Sequence, residues 1–87
     1  MTVASPVRRE VTVTAEAGLH ARPAADFAAA AGRYAAEVHV TKGERTADGK
    51  SVLLLLTLDV RRGDSVVIEA TGSDALAAVD TLCGLVT

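Results

Sequence analysis

The chain has 87 residues, 49% of them apolar, enough for one domain with a core; a domain this small buries only about 60–65% of its unfolded surface and has little room for a deep substrate pocket. Its apolar content is chiefly Ala, Val and Leu, with Phe27 and Tyr34 as the aromatics, and its formal net charge is −2, with basic residues in short scattered pairs such as Arg8-Arg9 and Arg61-Arg62. This argues against nucleic-acid binding, which gathers basic charge on one face and stacks bases on aromatics, while the longest apolar run, Val52 to Leu56, falls far short of the roughly 20 residues that span a bilayer.

Met1 to Pro6 lack the charged-then-apolar plan of a secretory leader, so they read as a flexible N-terminal extension of a cytoplasmic protein. From Val7 to Thr14 the pattern alternates, with Val11 and Val13 on one face and Thr12 and Thr14 on the other: a half-buried strand. Glu16-Ala17-Gly18 breaks it. From Ala21 to Arg33 the period lengthens, because Ala24, Phe27, Ala28 and Ala31 fall at i, i+3, i+4 and i+7 of an amphipathic helix. Pro23 is compatible with that helix only in its first turn, where amides lack partners anyway. The helix therefore starts near His20, and Gly32 suits its end.

Glu37 to Thr41 alternates again, Val38 and Val40 inward and His39 outward, and Arg45 to Ala47 reads as a short returning strand after a Lys42-Gly43-Glu44 turn. Val52 to Leu58 is nearly continuous in apolar residues, so periodicity alone allows either a buried strand or a helix. Ser51 ahead of it is a good N-cap. A turn at Arg61-Arg62-Gly63-Asp64 leads into a strand from Ser65 to Ala70. A last helix follows, with Ser73 as N-cap, Asp74 in its first turn, and Leu76, Val79, Leu82 and Val86 as its inward stripe. Cys83, the one cysteine, falls in that apolar pattern as a buried thiol, with no disulfide framework or CxxC motif. The order strand, helix, two strands, uncertain segment, strand, helix gives an α+β layer fold, an antiparallel sheet with helices over one face.

Gly18-Leu19-His20-Ala21-Arg22-Pro23 is the segment in which chemistry concentrates. A helix N-terminus offers free amides and a partial positive charge to an anion. Arg22 adds a guanidinium suited to phosphate oxygens, and neutral imidazole is a nucleophile well populated near pH 7. The helix end contributes roughly 0.3–1 kcal/mol and a charged hydrogen bond from Arg22 about 1.5–3 kcal/mol, enough to hold a phosphoryl group without trapping it. No neighbouring acid or base is evident beside His20, which favours storage over hydrolysis. Taken singly, His20 is a loop residue before a helix and Arg22 a solvated side chain. His39 has no ligand-spaced partner, and no metal site or cofactor is expected.

Gly18-Leu19-His20-Ala21-Arg22-Pro23-Ala24 resembles the active-site segment of HPr, the histidine-containing phosphocarrier family of the sugar phosphotransferase system. Lys50-Ser51-Val52-Leu53 with Thr57-Leu58 resembles the family's second segment, and the likeness runs from Val7 to Val86. It implies an open-faced β-sandwich in the order βαββαβα, four antiparallel strands with three helices on one face, over a single domain 1–87. Val52 to Leu56 then becomes a short second helix. The resemblance further implies that His20 takes phosphate on Nδ1 from enzyme I, charged by phosphoenolpyruvate, and passes it to IIA domains of sugar permeases. Arg22 would contact the phosphate, Ser51 would be a site for a serine kinase in some bacteria, and Ala21, Ala25, Val52, Leu53 and Leu56 would form the docking surface of a monomeric carrier. Asp59 stands where glycine is common in the family and Ala17 where some relatives are polar; these departures bear on partner preference. The other readings are a paralogous carrier in a nitrogen-related or dihydroxyacetone-kinase relay, a non-covalent anion-binding module and, last, a small hydrolase.

Overall fold

In the computed structural model, residues 5–87 are described; of the expected N-terminal extension, residues 1–4 lie outside them. Alternation makes four strands, β1 (Val7–Thr12), β2 (Glu37–Lys42), β3 (Arg45–Asp48) and β4 (Ser65–Thr71), the first ending at Thr12 and not at the expected Thr14. They form one antiparallel sheet in the order β1-β4-β2-β3. The register sets Val40 beside Ile68 and Ala47, and sets Val38 beside Ala70. All five side chains are buried, so one face of the sheet is apolar and the other faces solvent. His39 lies on the solvent side, between Glu69 and Asp48 in register.

Three helices cover the apolar face: α1 (Ala21–Ala31), α2 (Val52–Thr57) and α3 (Ala75–Val86). Helix α1 buries Ala24, Phe27, Ala28 and Ala31. Phe27 supplies the bulk and the alanines let the helix lie close to its neighbours. The architecture is the open-faced βαββαβα sandwich. The ambiguous apolar run resolves as helix α2, which buries only Leu55, while Val52, Leu53, Leu54 and Leu56 remain exposed. Ser51 caps it, its Oγ accepting from the Leu54 amide at 3.2 Å.

The start of α3 differs from the expected one. Its cap residue is Asp74 and not Ser73, and the Asp74 carboxylate turns away from the helix to accept the amides of Ala35 and Ala36 at 2.8 and 2.9 Å. The bond from the Ala35 amide, with that from Ala36, holds this carboxyl below the usual carboxylate range. Two otherwise unpaired amides in the α1–β2 connection are thus satisfied from across the fold. Leu76 also departs from the expected stripe. It is exposed at the flank of α3, where Ala75, Ala78 and Cys83 join Val79, Leu82 and Val86 in the core. Among the described residues no helix is long and apolar enough to cross a membrane.

Candidate functional site

The loop before α1 is fixed by a close approach of two backbones. Gly18 has φ +59°, and a Cβ there would fall 2.2 Å from the Val60 carbonyl oxygen. The next residue, Leu19, is buried, and its amide donates to that same oxygen at 3.0 Å. His20 follows as the cap residue of α1. Its side chain makes no capping bond, and the first turn carries no acidic residue, so no side chain in the helix's own start competes for the terminal amides. Ala21 is held at φ +45°, a conformation uncommon outside glycine, directly after the imidazole.

The segment that Leu19 grips also brings a carboxylate to His20. His20 Nε2 lies 3.2 Å from Asp59 Oδ1, both side chains being about half exposed. Asp59 follows the α2 C-cap, Leu58, and has φ +49°. Among the described residues, it and Ala21 are the non-glycine residues with positive φ, and both adjoin His20. Backbone strain of this kind gathers at functional sites.

Asp59 is itself held from three sides. Arg61 Nε donates to Oδ1 at 3.2 Å, and the Arg61 Nη2 donates to Oδ2 at 3.0 Å. Lys42 Nζ donates to the Asp59 carbonyl at 2.6 Å and pairs with Asp64 Oδ2 at 2.8 Å, while Asp64 accepts the Arg61 amide at 2.8 Å. The Arg61 hydrogen bonds, with lesser help from His20 and Lys42, keep the Asp59 carboxyl below the usual carboxylate range.

This corrects the expectation that no acid or base stands near His20. Sequence reasoning placed Arg61 in a turn, gave Asp59 only a bearing on partner preference, and assigned neither to the site. The available signal was Asp59 itself, a charged residue at a position where the family resemblance favours glycine. A carboxylate held ionised by Arg61 is a weak proton acceptor, so its presence does not turn the site into a hydrolytic one.

Arg22 lies in the first turn with its side chain 91% exposed and its Nε 4.0 Å from Asp26 Oδ2. It is one residue beyond the His20–Ala21 pair and free of packing. Ala21 and Ala25 are exposed on α1, and α1 packs against α2, so the apolar side chains of α2 and the exposed alanines of α1 belong to neighbouring helices. Asp59 follows α2, so the C-terminal end of α2 is the end nearer His20 and Ser51 caps the opposite one. The arrangement presents one exposed imidazole, the amides of a helix start, an exposed guanidinium and an adjoining apolar surface. It suits transient acceptance of an anionic group from another macromolecule.

Residues 7–87 match the family described as "PTS HPr component phosphorylation site". The chain is 42% identical over 77 residues to the phosphocarrier protein HPr of Vibrio cholerae, covering 88% of this chain and 91% of that protein. It is 40% identical over 80 residues to the phosphocarrier protein NPr of Shewanella violacea, covering 92% and 88%. The crystal structure of the phosphocarrier protein HPr from Bacillus anthracis superposes with a TM-score of 0.93 at 34% identity, over 95% of this chain and 99% of that one.

Proposed function

The chain belongs to the HPr family, phosphocarriers of the phosphotransferase system, and from that premise we propose that it acts as a carrier and not as a catalytic enzyme, His20 receiving a phosphoryl group from enzyme I and giving it to IIA domains of sugar permeases. The observation that carries this reading is the placement of His20: half exposed, at the start of α1, with its backbone locked through Leu19 to Val60. A lone pair on Nδ1 attacks phosphorus, the amides of the α1 start face the phosphoryl oxygens, and Arg22 swings from Asp26 to pair with them. Val52, Leu53, Leu56, Ala21 and Ala25 form the surface on which either partner lands. Incubation with phosphoenolpyruvate and enzyme I, followed by intact-mass measurement, is expected to show one acid-labile phosphoryl group per chain. An unmodified mass under conditions that label an HPr control would sink the proposal.

One observation favours a second reading. Similarity to the protein named NPr, at 40%, stands beside similarity to a protein named HPr, at 42%. A nitrogen-related relay would use the same His20 chemistry with a different donor, and comparing donors from the two kinds of relay in the same labelling experiment separates them.

For Arg22, replacement by Ala is expected to slow phosphoryl transfer about tenfold to hundredfold through loss of one charged hydrogen bond. The melting temperature should stay put, since the side chain is 91% exposed. Wild-type rates in Arg22→Ala would show that the helix amides suffice.

Ser51 has two roles in this reading: cap of α2 and regulatory phosphorylation site for a serine kinase. A phosphate there adds about −1.5 to −2 charges at pH 7 at the edge of an apolar docking surface. Ser51→Asp is accordingly expected to raise the apparent KM for enzyme I while leaving the melting temperature unchanged or slightly higher. An unchanged KM would reduce Ser51 to a cap.

A further inference from the structure

We propose that Asp59 is the positioning residue of His20: it accepts a hydrogen bond from the protonated Nε2, holds the imidazole in the tautomer whose lone pair is on Nδ1, and faces the positive charge that the ring gains on phosphorylation. The inference rests on His20 as the phosphoryl acceptor, and it assigns a role to a residue that the fold alone does not need. A simple turn at this place would be best served by glycine, since φ is +49° and only Gly, with Asn and Asp at some cost, visits that region readily. The chain carries Asp there instead, and aims it 3.2 Å from Nε2.

The geometry is over-determined, as positioning requires. Arg61 engages both carboxylate oxygens, Lys42 anchors the Asp59 carbonyl, and the Leu19–Val60 bond fixes the two backbones that bear His20 and Asp59. The imidazole therefore meets an acceptor already oriented and already ionised. A histidine's tautomer is set by the hydrogen bond that its other nitrogen makes; a carboxylate can only accept, so Nε2 carries the proton.

The consequence for transfer follows from the balance of the step. The Nδ1 lone pair attacks phosphorus, the N–P bond forms, and the donor's bond breaks with its electron pair leaving on the donor. The Nε2 proton stays, so the ring becomes a phosphoimidazolium whose positive charge lies against Asp59. When the next acceptor attacks phosphorus, the N–P electron pair returns to the ring and neutral imidazole leaves. Without the retained proton the leaving group would be an imidazolate anion, far harder to expel. Asp59 thus keeps the phosphorylated form reactive while orienting the unphosphorylated one.

The test uses Asp59→Gly, which removes the carboxylate and relieves the positive φ, so that the chain still folds, and Asp59→Asn as the conservative companion. Ring 15N shifts of the unphosphorylated protein, measured where His20 is neutral, are expected to show Nε2–H alone in the wild type and a measurable Nδ1–H fraction in Asp59→Gly. Transfer from enzyme I should show kcat lowered about tenfold or more with KM little changed, and Asp59→Asn should recover part of both. Unchanged ring shifts in Asp59→Gly would overturn the proposal, as would a raised KM without a shift change, which would make Asp59 a partner contact. A wild-type chain with the locked ring that accepts no phosphoryl group would overturn the carrier reading and leave the Asp59 contact standing.

Discussion

His20→Ala is expected to take up no phosphoryl group from phosphoenolpyruvate and enzyme I, whereas His39→Ala is labelled as fully as the wild type. The fold should not be the reason for the loss. His20 is half exposed and Asp59 keeps its pair with Arg61 when the imidazole is gone, so removal leaves neither a cavity nor an unpaired charge. The backbone tie that shapes the loop belongs to Leu19 and Val60, and α1 keeps its buried face of Ala24, Phe27, Ala28 and Ala31. His39 answers the opposite question. It lies on β2 between Val38 and Val40, which point to the helices, so its own side chain points away from them with Glu69 and Asp48 beside it in register. A sheet separates it from the start of α1. Intact mass before and after mild acid treatment, with a melting curve for each variant, decides the matter. Full labelling of a folded His20→Ala would remove His20 from the mechanism altogether.

What was legible in the sequence was what local periodicity controls. The spacing of Ala24, Phe27, Ala28 and Ala31 specifies a helical stripe whatever lies beneath it, and Pro23 limits where that helix begins. The Val38-His39-Val40 alternation similarly fixes which side of β2 is wet. The Leu-rich stretch of α2 was not legible from pattern, because leucine on every side removes the contrast that defines a period. Only tertiary packing selects Leu55 as its buried member.

Non-local bonds were equally invisible. Asp74 looks like a first-turn acid, yet it serves amides at Ala35 and Ala36, far away in the chain. The same holds at the site. His20, Arg22 and the helix start are neighbours in sequence and could be read together. Asp59, with Arg61 paired to it, reaches His20 only because two backbone segments far apart in the chain are pressed against each other at Gly18 and Val60. A residue standing in for glycine at a left-handed position was the one trace that this contact left in the sequence.

That backbone approach supplies the second large effect. Gly18→Ala is expected to destabilise the protein by about 2–4 kcal/mol, from overpacking plus one lost hydrogen bond, lowering the melting temperature by about ten degrees or more. The positive φ is not the main cause, since Ala21 and Asp59 tolerate similar values in this same chain. The obstacle is steric: the added Cβ would lie 2.2 Å from the Val60 oxygen and 2.9 Å from the Arg61 Cα. Both are backbone atoms that cannot rotate aside. Relief requires the two segments to separate, which stretches the Leu19–Val60 bond and loosens a side chain that is 1% exposed. His20 and Asp59 are borne on those segments, so any molecules that remain folded should also transfer phosphoryl groups about a hundredfold more slowly, the usual consequence of displacing a reacting group by an ångström. Gly43→Ala is the matched control. Its φ is +60° but nothing lies within 4 Å of the new Cβ, so it should lose only about 1 kcal/mol to the backbone conformation and keep its transfer rate. Thermal melts and transfer kinetics on the two variants separate conformation from contact. Equal, small losses in both would mean that the Gly18–Val60 approach is not what holds His20 in place.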